Sequence, residues 1–87
     1  MRLPFSEFFE RRRARRIAQV LAVLSDGGDH YGWPLMQATG LSGAGVYIAL
    51  DHLEARGVVV SGWGDQVYPG GPRRRWYRLA SSDGGAS

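Results

Sequence analysis

Apolar residues recur along this chain with two different periods, and the change from one to the other divides it. Ile17, Val20, Leu21 and Leu24 fall at i, i+3, i+4 and i+7, the stripe of an amphipathic helix whose apolar face belongs in a core. Phe5, Phe8 and Phe9 extend the same spacing upstream, with Arg11, Arg12, Arg13, Arg15 and Arg16 filling the turns between. Ser6 suits an N-cap for this helix, and Glu7 and Glu10 then lie in its first turns, where the helix dipole favours negative charge. Asp26-Gly27-Gly28-Asp29 ends it. A short second helix is predicted over 33–39, with Pro34 at its first position and Gly40 as its left-handed terminator. Ser42 then caps a third helix in which Val46, Ala49, Leu50 and Leu53 repeat the core stripe until Gly57. Gly43 and Gly45 are poor helix formers in its first turn, which reads either as a close backbone approach or as a frayed start.

After Gly57 the period changes. Val58-Val59-Val60 is β-branched and predicts a strand running to Trp63, and a second strand is predicted over 74–79. The stretch 64–72 is dense in turn residues and predicts a hairpin with a long, mobile tip. Alternation in the second strand sets Arg75, Tyr77 and Leu79 on one face, with Tyr77 and Leu79 toward the core, and Arg74, Trp76 and Arg78 on the other. Residues 81–87 hold no apolar side chain larger than Ala and are expected to be a disordered tail.

The resulting order is helix, short helix, tight turn, longer helix, β-hairpin. It predicts an α+β winged helix-turn-helix, three helices followed by a two-stranded wing, over residues 1–80. A chain of 87 residues has room for one core, and 44% apolar with 22% charged residues is the composition of a folding domain. The core should join Val46, Leu50 and Leu53 to Ile17, Val20, Leu21 and Leu24, closed by Leu35 and Leu79.

Charge gives this architecture two poles. All eleven basic residues are arginine. Residues 1–25 carry six Arg against two Glu, a net of +4; residues 26–72 carry Arg56 against five acids, a net of −4; residues 73–87 carry four Arg against Asp83, a net of +3. Clustered arginine builds a field that recruits a polyanion. In a winged helix the second helix of the pair enters the major groove of double-stranded DNA while the hairpin lies along the backbone or reaches into the minor groove. At about 1.5 Å per residue, the segment 42–56 is about 22 Å long, enough to cross a groove about 12 Å wide. Its outward face would present Ser42, Gly43, Ala44, Tyr47, Ile48 and Asp51. Ser42 and the neighbouring N–H groups suit a phosphate, and Ala44 and Ile48 suit a thymine methyl group. With no Arg, Asn or Gln on that face, much of the sequence choice should come from DNA shape and from the wing.

Arg73-Arg74-Arg75 beside Trp76, Tyr77 and Arg78 is the strongest chemical signal, a basic rim that can follow a phosphate backbone. The competing reading is a solvated charged edge that blocks sheet-to-sheet pairing. The cluster at 11–16 is either a plain solvated helix face or a backbone contact.

From Arg16 to Ala80 the chain resembles the PadR-type winged-helix transcriptional regulators. The resemblance lies in His30-Tyr31-Gly32-Trp33, in Gly45-Val46-Tyr47-Ile48-Ala49-Leu50 with Leu53-Glu54 and Gly57, and in Gly70-Gly71-Pro72-Arg73-Arg74 leading into Trp76-Tyr77-Arg78-Leu79. It implies a dimeric repressor with the Tyr47 position and the wing arginines at DNA. Pro34 and Ile48 depart from the family pattern, and the chain reads as a short form without the family's C-terminal dimerisation helix. A homodimer is then expected through the N-terminal helix, on Phe5, Phe8 and Phe9, with the alternative that these rings fold back over the monomer's own core beside Leu79.

Other classes are disfavoured. Without cysteine there is no disulfide, thiolate metal site or Cys nucleophile. His30 and His52 stand 22 positions apart, acids are few, and no phosphate-binding Gly loop with Lys occurs, so no enzyme, metal or cofactor is expected. No apolar run reaches the length of a membrane span, and the opening residues do not resemble a secretory signal, which makes the cytoplasm the default location. An architectural DNA-binding factor, as in recombination, and a winged-helix protein-interaction module remain as alternatives to a regulator.

Overall fold

A computed structural model of the chain describes residues 5–66 and 68–81. In chain order the elements are α1 (Phe5–Leu24), β1 (His30–Tyr31), α2 (Gly32–Thr39), α3 (Gly43–Ala55), β2 (Val59–Gln66) and β3 (Arg73–Leu79). The three helices pack on a three-stranded antiparallel sheet of order β1-β3-β2. This is the α+β winged helix expected, with one strand more than the sequence predicts. β1 pairs His30 with Tyr77 and Tyr31 with Trp76. Two residues carry no readable period, so β1 exists only because β3 offers a free edge to the loop after α1.

That loop is tied down by polar contacts. Asp26 Oδ1 accepts from the Gly28 N–H at 2.8 Å and bonds the His30 ring at 2.7 Å, and Asp29 pairs with Arg78 of β3 at 3.2 Å. On the β2 edge the Ala80 N–H donates to the Val58 carbonyl at 2.9 Å. The caps between α2 and α3 form as expected. Gly40 adopts φ 74°, a left-handed conformation that a side chain would strain, and donates its N–H to Met36 O at 2.9 Å. Ser42 Oγ accepts from the Gly45 N–H at 3.0 Å.

Five boundaries differ from the sequence reading. Ser6 lies inside α1, which includes Phe5, and is not its cap. α2 starts at Gly32, so Pro34 is its third residue and still within the first turn, where a missing N–H costs no bond. β2 begins at Val59 and runs to Gln66, and β3 begins at Arg73, so pairing continues past Trp63 to Gln66↔Arg73 and the tip is shorter. The register shifts between Trp63 and Gln66, an irregularity that no alternation in the sequence reveals. The tip reading falls partly on Val67 and the tail reading on 82–87, outside the described residues.

The core is one cluster. Val20 and Leu24 of α1, Leu35 of α2, and Val46, Ala49, Leu50 and Leu53 of α3 are buried with Val59 and Tyr77 of the sheet. Ile17, Leu21 and Leu79 pack at its margin and are only partly buried, because the sheet contributes Val59 and Tyr77 to the centre. Upstream, every described side chain from Ser6 to Arg15 is exposed. Phe8 and Phe9 meet edge to face with centroids 5.9 Å apart and stay 51% and 50% exposed, so the reading that folds them over the core beside Leu79 does not hold for these two rings. The side chain of Phe5 lies outside the described residues.

Candidate nucleic-acid interface

The exposed face of α3 carries Ser42, Ala44, Tyr47, Ile48 and Asp51, while Gly43 is half-buried with Met36 nearby. Ile48 is 50% exposed, a large apolar side chain on an outward face. The first N–H groups of the helix have no intrahelical acceptor, and Ser42 satisfies the one on Gly45.

Tyr47 leans off this face toward α2 and the sheet. Its ring meets Tyr77 edge to face at 6.2 Å, and its hydroxyl rests where a Cβ on Gly32 would stand. Gly32 is therefore required by this close approach, and any side chain there would push Tyr47 away.

The wing arginines have different surroundings. Arg73 donates from Nε to the Gly64 carbonyl across the hairpin at 3.1 Å, and Arg74 lies 3.7 Å over the Tyr31 ring. Both are exposed, and among the described residues neither pairs with a carboxylate. Arg75 is held from behind. It donates to Ser61 Oγ at 2.7 Å, Ser61 in turn donates to Glu54 Oε2 at 2.6 Å, and the Arg75 guanidinium stands 3.6 Å from that carboxylate. Glu54 thus compensates Arg75 as Asp29 compensates Arg78, leaving Arg73 and Arg74 as the wing charges directed to solvent.

These pieces enclose an open cleft of about 370 Å³. Tyr47 and Arg73, Arg74 and Arg75 line it, so the fold brings together four of the residues singled out from the sequence. Ser42, Gly43, Ala44 and Ile48 lie on the same helix outside the cleft. The remaining walls are Tyr31, Gly32, Trp33, Pro34 and Trp63. Trp33 and Trp63 are 68% and 56% exposed, and the sequence reading assigned neither to a site. The available signal was Gly-Trp-Gly at 62–64. Gly62 faces Trp76 across the sheet and has no room for a Cβ beside that ring, which places Trp63 on the opposite face.

Comparison with solved structures finds this architecture elsewhere. Pex from Synechococcus sp. (strain PCC 7942) superposes with a TM-score of 0.67 at 27% identity, over 92% of this chain and 84% of that one. A PadR family transcription regulator from hypervirulent Clostridium difficile R20291 superposes with a TM-score of 0.61 at 23% identity, over 80% and 76%. The fold is that of the PadR-type winged-helix regulators. Stf76 from the Sulfolobus islandicus plasmid-virus pSSVx is similar as well, with a TM-score of 0.65 at 25% identity over 82% and 88% of the two chains. The likeness covers most of the winged helix in each case and is not confined to the helix pair. No family model and no curated protein sequence matches the chain.

One histidine of α3 lies outside the interface. His52 is half-buried on α3 and bonds Arg56 at 3.0 Å; desolvation, then the charges of Arg56 and Arg13, hold its pKa below the usual histidine value. Among the described residues no group of His, Asp and Glu could hold a metal ion, and no helix is long and apolar enough to cross a membrane.

Proposed function

We propose that this protein is a cytoplasmic transcriptional regulator that binds double-stranded DNA and acts as a repressor by occupying its operator. α3 enters the major groove with Ser42, Gly43, Ala44, Tyr47 and Ile48 toward the DNA, and the wing lies on the backbone through Arg73 and Arg74, with Arg75 behind them. The observation that carries this reading is the pair of wing arginines with no carboxylate partner among the described residues, set in one cleft with Tyr47 of the recognition helix. Its role is binding, and it needs no metal or cofactor. Selection of bound fragments from a random duplex pool tests it. A repressor enriches one palindrome, an architectural factor enriches bendable sequence without a fixed motif, and a protein-interaction module enriches nothing.

The regulator works as a homodimer through the N-terminal half of α1. Two-fold pairing lets a unit this small read two half-sites. Half-exposed Phe8 and Phe9, on a helix that leaves its own core behind, support that surface. Light scattering at micromolar concentration should give a dimer for the wild type and a monomer for the Phe8→Ser, Phe9→Ser variant. A wild-type monomer, or a dimer indifferent to both changes, refutes the pairing.

A further inference from the structure

We infer that the cleft between α2, Tyr47 and the wing is a subsite for an unpaired nucleotide of a DNA strand, with its base against the exposed rings and its phosphate on Arg73 and Arg74. Trp33, Trp63 and Tyr47 come from three different elements, are 68%, 56% and 44% exposed, and converge on this one cleft. The core has little use for rings, since of its nine buried residues only Tyr77 is aromatic. Intact duplex DNA has little use for the exposed faces of Trp33 and Trp63 either, because its base faces are stacked on each other. An unpaired base presents a π-face to a ring, and this sequence-tolerant stacking is how proteins hold single strands.

The charges in the cleft fit the same ligand. Arg74 lies 3.7 Å over Tyr31 on one face of β3 and Arg75 lies 5.0 Å from the Trp63 ring centroid on the other, so each face of the wing pairs a guanidinium with a ring. Among the described residues no acidic side chain lines the cleft, which therefore complements an anion. Its volume of about 370 Å³ is near the low end for small-ligand sites, room for one nucleotide and too little for a helix or a folded peptide. A site built for a free small molecule encloses most of its ligand. This cleft is open, as suits a strand that passes through.

The inference shares with the proposed function the premise that DNA is the ligand and the residues Tyr47, Arg73 and Arg74, while Trp33 and Trp63 belong to it alone, so the two are tested in separate arms. Fluorescence anisotropy with the full chain would compare a labelled thymidine octamer, the same octamer with its central bases removed, and a mixed-sequence duplex, all at one salt concentration. The octamer should bind, and removing the bases should weaken it about tenfold or more. Trp63→Ala and Trp33→Ala should each weaken octamer binding about tenfold, and Trp63→Tyr should restore most of it, with thermal melting verifying that each variant is folded. Equal affinity for the intact and base-free octamers, no octamer binding, or indifference to both Trp→Ala changes would overturn the inference. So would thymidine monophosphate that competes as well as the octamer, since the ligand would then be a free nucleotide. Octamer binding without duplex binding would refute the regulator and leave this subsite standing; duplex binding without octamer binding would do the reverse.

Discussion

Replacing Arg73 and Arg74 together by Ala separates the two kinds of arginine on the wing. Their losses to the fold are small, a hydrogen bond to Gly64 and a guanidinium over Tyr31, both at exposed positions. An exposed cation–π contact is worth about 0.5–1 kcal/mol, so the variant should remain folded. Their loss to binding is electrostatic. Each phosphate contact contributes about 0.9 to the slope of log affinity against log salt, so the double variant should lose about 1.8 from that slope. Raising salt fourfold should then weaken the variant about twelvefold less than the wild type. Arg75→Ala should behave differently, because Glu54 and Ser61 already engage that guanidinium. It should leave the slope nearly unchanged and cost at most about 1 kcal/mol of stability, since both partners of the ion pair are more than a third exposed. Glu54→Gln releases Arg75 and should raise the slope toward one further contact. Fluorescence anisotropy on one duplex across a salt series reads all four proteins. A double variant with the wild-type slope would refute the placement of the wing on the backbone, and an Arg75→Ala variant that loses as much slope as either neighbour would refute the role given to Glu54.

Three further outcomes follow from packing and charge. Leu50 is fully buried among Val20, Leu24, Leu35 and Val46, so Leu50→Ala should cost about 2–5 kcal/mol in urea unfolding, and a loss under about 1 kcal/mol would mean that its packing is misassigned. Ser42→Ala removes the acceptor for the Gly45 N–H and should cost about 1 kcal/mol in the same measurement, while a cost near zero would mean that water replaces the cap fully. The side-chain bond to His30, then the Gly28 N–H, hold the Asp26 carboxyl below the usual carboxylate range. Its folded pKa lies below its unfolded one, so its contribution is present above about pH 4 and lost as pH falls through the folded value. The His52 pKa is lowered too, so its neutral form favours the fold and that contribution is lost as pH drops below about 6.5. The urea midpoint should therefore fall in two steps on acidification. Asp26→Asn should flatten the lower step and His52→Gln the upper one; a step that survives its variant belongs to another group.

The helix faces and the turn between α2 and α3 were legible in the sequence because they are set within a turn or two of chain. Ser42 and Gly40 declare the boundary between α2 and α3 through backbone groups three or four residues away, and the stripes Val20/Leu24 and Val46/Leu50/Leu53 declare which faces are buried. Composition and arginine placement pointed to a polyanion with no further help. Tertiary structure decided what depends on two distant segments meeting. β1 has no pattern of its own and forms because Tyr77 and Trp76 present an edge to His30 and Tyr31. Alternation separates Arg75 from Arg74 in the chain, yet only the fold matches Arg75 with Glu54, because the β2–β3 register sets Ser61 opposite Tyr77 on the face that carries Arg75. Gly32 and Tyr47 are 15 positions apart, and nothing local to either says that one must be bare to admit the other. The cleft is the same case on a larger scale. Its rings come from α2, α3 and β2, and their convergence follows from how the helix pair crosses and where the hairpin folds, neither of which is written in the period of any single element.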